Sequence, residues 1–514
     1  MMEALTNPVI LEHIFSKLSL SDLKTSRLVC REWDDVAASL LGRSTFLNVN
    51  KVFPFDPANL YEMVRNGSIH EMFRNASINE MPRNAGNAIT SVNDKLKQCL
   101  LISDHRQSLI PTDNRFNIFT QMMTQTQDIS QVIREIKLFF VSQKQFAVSF
   151  LKWIAVLKIT SIQHVSISIS EKARILQDED PVQEYPKLPI QANLTSIKFT
   201  CPDAKQEILP VYETFFQILI DSAPNLTSLD ITGIFYPNLE RSKKLEVLEF
   251  RFHHWSHSAP TKLDLTILAN ILAQVKDSLT ELKFGYIGNE NIDLAENLNP
   301  PVMSELTSIT IYCMDLFRIR NFLDETHLPK LKNLTFSKSG YGNSIYSNLW
   351  QRHRGVQYVN VTWSLNSPGE FGKTVVQLFP AVKKFDFTLW SCGGNLIQNI
   401  NNILEPLAMW DLKEANVVVH RVEESSVLVE IVKNMENWKG IKRVHFVDAE
   451  IKYDDFSPRI PDLIRYGKGF KSIKISGNEN YVFMDPGLVE LMRPTFEASG
   501  APIHVTGGVA RRCT

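Results

Sequence analysis

The residues that first suggest chemistry are three histidines in the run His253-His254-Trp255-Ser256-His257. Imidazole nitrogens are common zinc ligands, but a zinc site needs further ligands at suitable spacing, and hydrolytic zinc helices carry a glutamate in the order HExxH. This run has the spacing H-H-x-x-H, and the sequence offers neither that glutamate nor a placed second pair of ligands. Because the run follows a strand-like segment, we expect it to form a surface loop without a metal.

Other motifs that position reactive groups are missing from the sequence. Gly393-Gly394 and Gly507-Gly508 do not form the GxxxxGK[ST] or GxGxxG runs that bind phosphate, and the GxSxG nucleophile motif does not occur. The closest two of the six cysteines are 69 residues apart, which gives a CxxC-type zinc or redox site no local support. We therefore expect no catalytic residue, metal or cofactor. An enzyme with an unrecognised site remains the alternative, and it would need a deep pocket with convergent titratable groups.

Composition points to an ordinary folded protein. The chain has 514 residues, of which 44% are apolar and 22% charged, and its 55 basic and 56 acidic residues give a net charge of −1. A protein that binds nucleic acid through phosphate neutralisation usually has a basic excess, so we expect no nucleic-acid partner. Lys144 and Lys152 interrupt the most apolar stretch, residues 138–157, which argues against a membrane span. Scattered cysteines and the lack of a signal-peptide pattern suggest a cytoplasmic or nuclear location.

A short apolar motif of the form apolar-x-x-apolar-x-apolar recurs thirteen times from residue 133 onward. Its copies are 19 to 34 residues apart, with a mean of about 28, and they begin at Ile133, Ile162, Leu194, Leu226, Leu245, Leu279, Leu306, Leu331, Val356, Val382, Leu412, Ile441 and Phe470. The last two apolar positions alternate with variable ones, as in a short strand with one buried face. Helix-period segments lie between several copies, for example Leu265, Leu268, Ala269 and Leu272.

Repeats of 20–29 residues with this pattern are typical of leucine-rich repeats. We therefore predict an α/β fold in which residues 131–514 form a leucine-rich-repeat solenoid, or horseshoe, with parallel strands on its concave face. The usual Asn or Cys three residues after the motif is nearly absent, since Asn478 alone occupies that position. Backbone groups in the turns then need other partners, and a generic α/β domain is the alternative.

The variable positions of each predicted strand should point to one polar face. Large aromatic and arginine side chains supply much of the binding energy in protein interfaces, whereas most other interface residues contribute little. The predicted substrate-binding residues are therefore Arg251, Tyr312 and Tyr358, chosen for side-chain type and their position within the array. The alternative is a solvated face on which no single residue dominates.

The first fifty residues read as three short helices. Asn7 can cap a first helix with Pro8 at its first position, and Ile10, Ile14 and Leu18 recur along it at intervals of four. Ser21 or Asp22 can cap a second helix, and a third follows through Trp33. A unit of this size buries little surface alone. It fits either a partner-binding module or a helical cap on the array.

The strings NPVILEHIFSKL, SDL and RLVCREW resemble an F-box, whose pattern combines an LPxEILxxIFSxL run, an acidic-Leu pair and a VCRxW run. The resemblance covers about residues 5–45; here Pro8 lies one place later than usual, and Val9 replaces the usual Glu. It implies binding to the Skp-family adaptor of an SCF ubiquitin ligase, and through it to a cullin. By matching position, the implied adaptor-binding residues are Pro8, Ile10, Leu11, Ile14, Leu18 and Leu23. Phe15, Leu28, Val29 and Trp33 fit the partner surface and the internal core equally well.

F-box followed by leucine-rich repeats resembles a known family of substrate receptors. We therefore predict an F-box-like helical domain at residues 1–48, a linker or degenerate early repeats at 49–130, and the repeat array thereafter. Residues 88–101 within the linker have the apolar spacing of an amphipathic helix. The implied function is that of a non-catalytic substrate-recognition subunit of an SCF-type E3 ubiquitin ligase. The alternative is a leucine-rich-repeat binding scaffold unrelated to ubiquitination.

Overall fold

The architecture is taken from a computed structural model. It describes residues 7–44, 47–48, 99–103, 133–140, 144–157, 160–169, 185–201, 209–233, 235–254, 263–288, 292–293, 300–312, 324–337, 352–364, 371–390, 396–449, 451, 453–477 and 486–506. The chain divides into two compact units. The N-terminal unit consists of residues 1–263 and 288–291, and the C-terminal unit of residues 264–287 and 292–514.

The N-terminal unit begins with three helices, α1 (Pro8–Phe15), α2 (Leu20–Ser26) and α3 (Arg31–Ser44). The Asn7 side chain accepts a hydrogen bond from the Val9 amide at 3.0 Å, so the predicted cap of α1 is confirmed. The predicted cap of α2 is wrong: Ser19 takes that role, because its hydroxyl accepts from the Asp22 amide at 3.2 Å and donates to the Asp22 carboxylate at 2.7 Å.

Seven parallel strands follow in sequential order in the N-terminal unit. They are β1 (Leu47–Asn48), β2 (Cys99–Ser103), β3 (Glu135–Phe140), β4 (His164–Ile169), β5 (Ser196–Thr200), β6 (Ser228–Gly233) and β7 (Val247–His254). Helices α4 (Lys144–Leu157) and α5 (Leu209–Ser222) connect neighbouring strands. The helix predicted over residues 88–101 is wrong at its C-terminal end, where β2 begins; residues 88–98 lie outside the described part of the chain. Strand pairing with β1 and β3 overrides the helical spacing there.

The C-terminal unit repeats this arrangement with nine parallel strands in sequential order. They are β9 (Glu281–Gly288), β11 (Ser308–Tyr312), β12 (Asn333–Ser337), β13 (Tyr358–Ser364), β14 (Lys384–Trp390), β15 (Glu414–His420), β16 (Ile441–Val447), β17 (Ser472–Ser476) and β18 (Ile503–Thr506). The short strands β8 (Leu263–Asp264) and β10 (Ile292–Asp293) lie apart from this series. All thirteen predicted motif copies therefore fall on parallel strands, while β1, β2 and β18 were not predicted.

Helices pack against the apolar side of the strands in the C-terminal unit. They are α6 (Leu265–Val275), α7 (Phe371–Leu378), α8 (Leu396–Leu404), α9 (Ser425–Glu436), α10 (Tyr453–Phe456), α11 (Ile460–Gly467) and α12 (Pro486–Ser499), with 3₁₀ turns at Glu405–Met409 and Ser457–Arg459. Alternate strand residues are buried, for instance Phe385, Phe387 and Leu389 in β14. Burying the apolar face of the strands supplies the main driving force for this fold.

Side chains in the turns replace the missing Asn ladder. In the N-terminal unit the Asn193 and Asn225 amides donate to the backbone oxygens of Thr160 and Ala192, at 2.7 and 2.8 Å. In the C-terminal unit the indole nitrogens of Trp410 and Trp438 donate to backbone oxygens at 2.8 and 3.2 Å, and those two oxygens belong to Phe379 and Leu404. Each bond joins one repeat to the preceding repeat, and the two tryptophan bonds pair carbonyls in buried positions.

The motif copy at Ile441 departs from the other twelve. Their first apolar residues are buried, but Ile441 is 45% exposed, and the buried Lys442 pairs with Ala415, the second apolar residue of the preceding copy. Gly440 precedes the strand with a φ of +76°, where a Cβ atom would collide with the Leu412 carbonyl. The ammonium of Lys442 donates to the Glu436 carbonyl at 2.6 Å, at the end of α9. Val444 pairs with Val417, so this copy is shifted by two residues against the preceding one, which the apolar spacing did not indicate.

Candidate functional site

The three N-terminal helices enclose a small core. Leu11, Phe15 and Leu23 are buried together with Ala37 and Leu41. Trp33 packs edge-on against Phe15, with ring centroids 5.1 Å apart. This core orients the three helices and therefore fixes which of their side chains face outward.

The predicted adaptor-binding residues divide into two groups. Pro8, Ile10 and Ile14 are exposed, the two isoleucines by 41% and 45%. Leu11 and Leu23 are buried, so their assignment to a partner-facing surface is corrected: on an amphipathic helix they occupy the inward stripe. Leu18 is partly buried and packs against the same core.

Two residues that the sequence left undecided join the exposed group. Leu28 is 86% and Val29 60% exposed, in the turn between α2 and α3, whereas Phe15 and Trp33 belong to the core. Val9 is also exposed, by 74%. Singly exposed apolar residues are common, but several on one small helical domain indicate a protein interaction surface. We call Val9, Ile10, Ile14, Leu28 and Val29 the apolar surface.

The outward face of the strands has a different character. In the N-terminal unit, the predicted residue Arg251 lies on this face in β7. Its guanidinium is 2.6 Å from the Glu249 carboxylate and 3.7 Å from Asp230, which also binds Lys198 at 2.6 Å. Arg251 is therefore held by neighbouring carboxylates, and a ligand would have to compete with them.

The predicted residues Tyr312 and Tyr358 lie on the strand face of the C-terminal unit. Tyr312 is partly buried at the end of β11. The Tyr358 hydroxyl donates to Asp386 at 2.6 Å, and burial together with that carboxylate raises the pKa of Tyr358. Asp386 also accepts a hydrogen bond from Asn416 at 2.7 Å. Tyr358 is thus part of a network across three strands, and its role in substrate binding stays a prediction.

Carboxylates further along the same face are likewise paired. Glu414 contacts Arg443 on β16 and lies 3.6 Å from the Lys384 ammonium on β14. The Arg443 hydrogen bond holds the pKa of Glu414 below its usual range. Such ion pairs across strands fix side-chain positions, although partly exposed pairs stabilise the fold little.

Sequence reasoning missed a stacked pair at the ends of β14 and β15. The rings of Trp390 and His420 lie 4.3 Å apart with an angle of 9° between them. Their equal position in the two strands is the sequence signal for this pair: each lies six residues after the first residue of its strand, and the ladder places them opposite each other. The apolar motif used for the prediction ends before these two residues.

The described ranges are expected to hold no metal site. They contain no cluster of three or more His, Cys, Asp or Glu that could hold a metal ion. His253 and His254 lie in strand β7, so the expected loop is corrected for these two residues, whereas His257 falls outside the described part. A shallow depression is lined by Glu213, Gln217 and Tyr236, among others, and burial raises the pKa of Glu213. None of the described helices is both long and apolar enough to cross a membrane.

Comparison with protein families places the helical segment in a known class. The family model described as F-box-like matches residues 8–47, which span α1, α2, α3 and the first residue of β1. This supports an F-box assignment for the N-terminal segment, whose helices have the expected order. Among curated proteins, no sequence matches the chain.

Proposed function

We propose that this chain is the substrate-recognition adaptor subunit of an SCF-type E3 ubiquitin ligase. In this proposal the N-terminal helices bind a Skp-family adaptor, and through it a cullin scaffold, while the parallel strands form a leucine-rich-repeat solenoid that binds a protein substrate. The chain itself would carry no catalytic residue and no cofactor. We expect it to act in the cytoplasm, the nucleus or both.

One observation carries the proposal: an F-box-like segment presents the apolar surface to solvent. Covering several apolar side chains on a small domain with a partner removes apolar surface from water, which is favourable, and breaks no hydrogen bonds of those side chains. By holding a substrate next to the ubiquitin-charged enzyme, the subunit raises the effective concentration of substrate lysines. This mechanism needs binding on two surfaces and no chemistry in the chain.

The test is co-purification of the full chain with a Skp-family adaptor. Replacing Ile10 and Ile14 together by Asp puts two charges on the apolar surface, and we expect adaptor affinity to fall at least about 100-fold. Met409→Asp is the matched control, because Met409 is an 80% exposed apolar residue in the C-terminal unit. Unchanged adaptor binding in the double variant would contradict the proposed docking surface.

A second function is favoured by the strand β1. This strand begins three residues after α3 and pairs with β2, so the helical segment continues directly into the sheet of the N-terminal unit. The helices then fit a cap on a repeat-protein scaffold that is not tied to ubiquitination. Two measurements distinguish the two functions. If the helices are only a cap, deleting residues 1–45 should destabilise the strands, and the intact chain should not bind the adaptor.

A further inference from the structure

The exposed edge of the C-terminal strand face carries an aromatic side chain that the proposed adaptor contact does not use. Trp390 ends β14 and is 37% exposed, because it belongs to the outward-facing set of alternating residues, whereas Phe385, Phe387 and Leu389 point into the core. The stacked imidazole of His420 supports its indole ring at 4.3 Å. A large ring held in a fixed position at the surface is a good anchor for a ligand, because little side-chain entropy is lost on binding.

Arg421 is held beside this ring by an unusual backbone conformation. Its φ is +58°, a left-handed conformation that few residues other than glycine adopt, and its amide donates to the Val447 carbonyl at 3.1 Å. The guanidinium carbon lies 6.0 Å from the centre of the Trp390 ring. The backbone therefore directs an exposed cation over the Trp390 ring.

Further nitrogen-bearing side chains lie on the next strands, in the row two residues before the Trp390–His420 pair. The ladder places His445 opposite Lys474, and Lys474 opposite His504. Lys474 and His504 are exposed, and the His445 ring lies 2.9 Å from the Ser476 hydroxyl. We call Trp390, His420, Arg421, His445, Lys474 and His504 the Trp390 surface.

Charge on this surface is unbalanced. Arg421 and Lys474 are permanent cations, and Asp448 is the carboxylate that acts on His420. By contrast, the carboxylates in the rows nearer the start of the strands are already bound: Asp386 accepts from Tyr358 and Asn416, and Glu414 from Arg443. Within the described ranges neither Arg421 nor Lys474 forms an ion pair, so the Trp390 surface offers an aromatic ring and two cationic groups next to rows of paired charges.

We propose that the Trp390 surface binds an acidic, aromatic-containing peptide segment. An aromatic side chain of the peptide packs on the indole of Trp390, and carboxylates of the peptide pair with Arg421 and Lys474. A nucleic acid fits less well, because its continuous phosphate chain would meet Asp386 and Glu414 in the adjoining rows. The inference rests on the proposed function in that this peptide belongs to the protein substrate.

The experiment measures binding of a fluorescently labelled random copolymer of glutamate and tyrosine to the full chain by anisotropy. We expect saturable binding that weakens with added salt. Trp390→Leu removes the ring, and Arg421→Asn removes the charge while keeping a residue that tolerates positive φ; each should weaken binding about five- to tenfold. Trp390→Phe should retain most of the affinity. Lys439→Ala, which removes an exposed cation elsewhere in the same unit, should leave it unchanged.

Two results would overturn the inference: copolymer binding that survives both Trp390→Leu and Arg421→Asn, or equally tight binding of labelled oligothymidylate, which would make this a general anion site. Adaptor co-purification is measured on the same variants. A chain that binds the adaptor but not the copolymer refutes the peptide site alone. A chain that binds the copolymer but no adaptor refutes the ligase role alone.

Discussion

The N-terminal helices and the strand face of the C-terminal unit differ in the kind of side chain that they expose to solvent. The helices expose the apolar surface above a core cluster of five buried residues. The strands expose charged and polar side chains that bond to each other, such as Tyr358 to Asp386, above a core built from many repeats. A small domain whose apolar residues point outward depends on a partner, whereas an array can keep a polar face because its stability comes from stacking.

The largest expected effect separates stability from binding within the helices. Phe15→Ala removes a buried ring and should cost about 3–5 kcal/mol, enough to unfold residues 7–44. Leu28→Ala, at a residue that is 86% exposed, should leave the helices folded and still weaken adaptor binding. Hydrogen–deuterium exchange of residues 7–44, together with adaptor affinity, gives both readouts. Equal loss of protection in the two variants would mean that the apolar surface is part of the core.

A second comparison concerns the tryptophans of the C-terminal unit. Trp410→Phe keeps a ring but leaves the buried Phe379 carbonyl without its donor, and we expect a loss of about 1–3 kcal/mol. The same change at the exposed Trp390 should cost less than about 0.5 kcal/mol. Urea denaturation of both variants checks this difference. Similar costs would show that the interrepeat bond of Trp410 contributes little.

The smallest expected effect is a pH dependence of stability that arises in the C-terminal unit and not in the N-terminal helices. Burial lowers the pKa of both His420 and His445 below 6.5; Arg421 adds to this for His420 and Lys474 for His445, while Asp448 opposes it for His420. The unfolded chain then binds more protons as the pH falls through 6.5, so stability present above that pH declines below it. The urea midpoint should drop between about pH 7.5 and 5.5, and His420→Gln with His445→Gln should flatten this dependence. Adaptor binding through apolar side chains should not follow it.

The fold could be predicted largely from apolar spacing, because each copy of the repeat shows the same pattern of a strand with one buried face. Leu194, Leu226 and Leu331 begin copies whose strands the structure confirms. The same spacing failed at Ile441, where the strand pairs two residues out of step with the preceding copy and a lysine bonded to the end of a helix is buried. The strand β2 was missed because its helix-like spacing is overridden by pairing with strands distant in sequence.

The candidate sites were less predictable than the fold. Residue type placed Ile10, Leu11 and Ile14 on one helix but did not say which face turns inward, so Leu11 was misassigned. Arg251 and Tyr358 were chosen as isolated anchors, but Arg251 pairs with Glu249 on its own strand and Asp230 on the neighbouring one, and Tyr358 bonds to Asp386 on the next strand. The contacts between strands join residues far apart in sequence, such as Tyr358 and Asp386, and only the strand register reveals them.

The hydrogen bonds of Asn193 and Asn225 bear on whether these residues can serve as glycosylation sites. Each asparagine is followed by Leu and then Thr, which is the tripeptide signal for N-linked glycosylation. Yet the side-chain nitrogen that would carry the glycan donates to a carbonyl of the neighbouring turn, at 2.7 Å for Asn193 and 2.8 Å for Asn225. A sequence search for glycosylation sites would therefore return two asparagines whose side-chain amides join adjacent repeats.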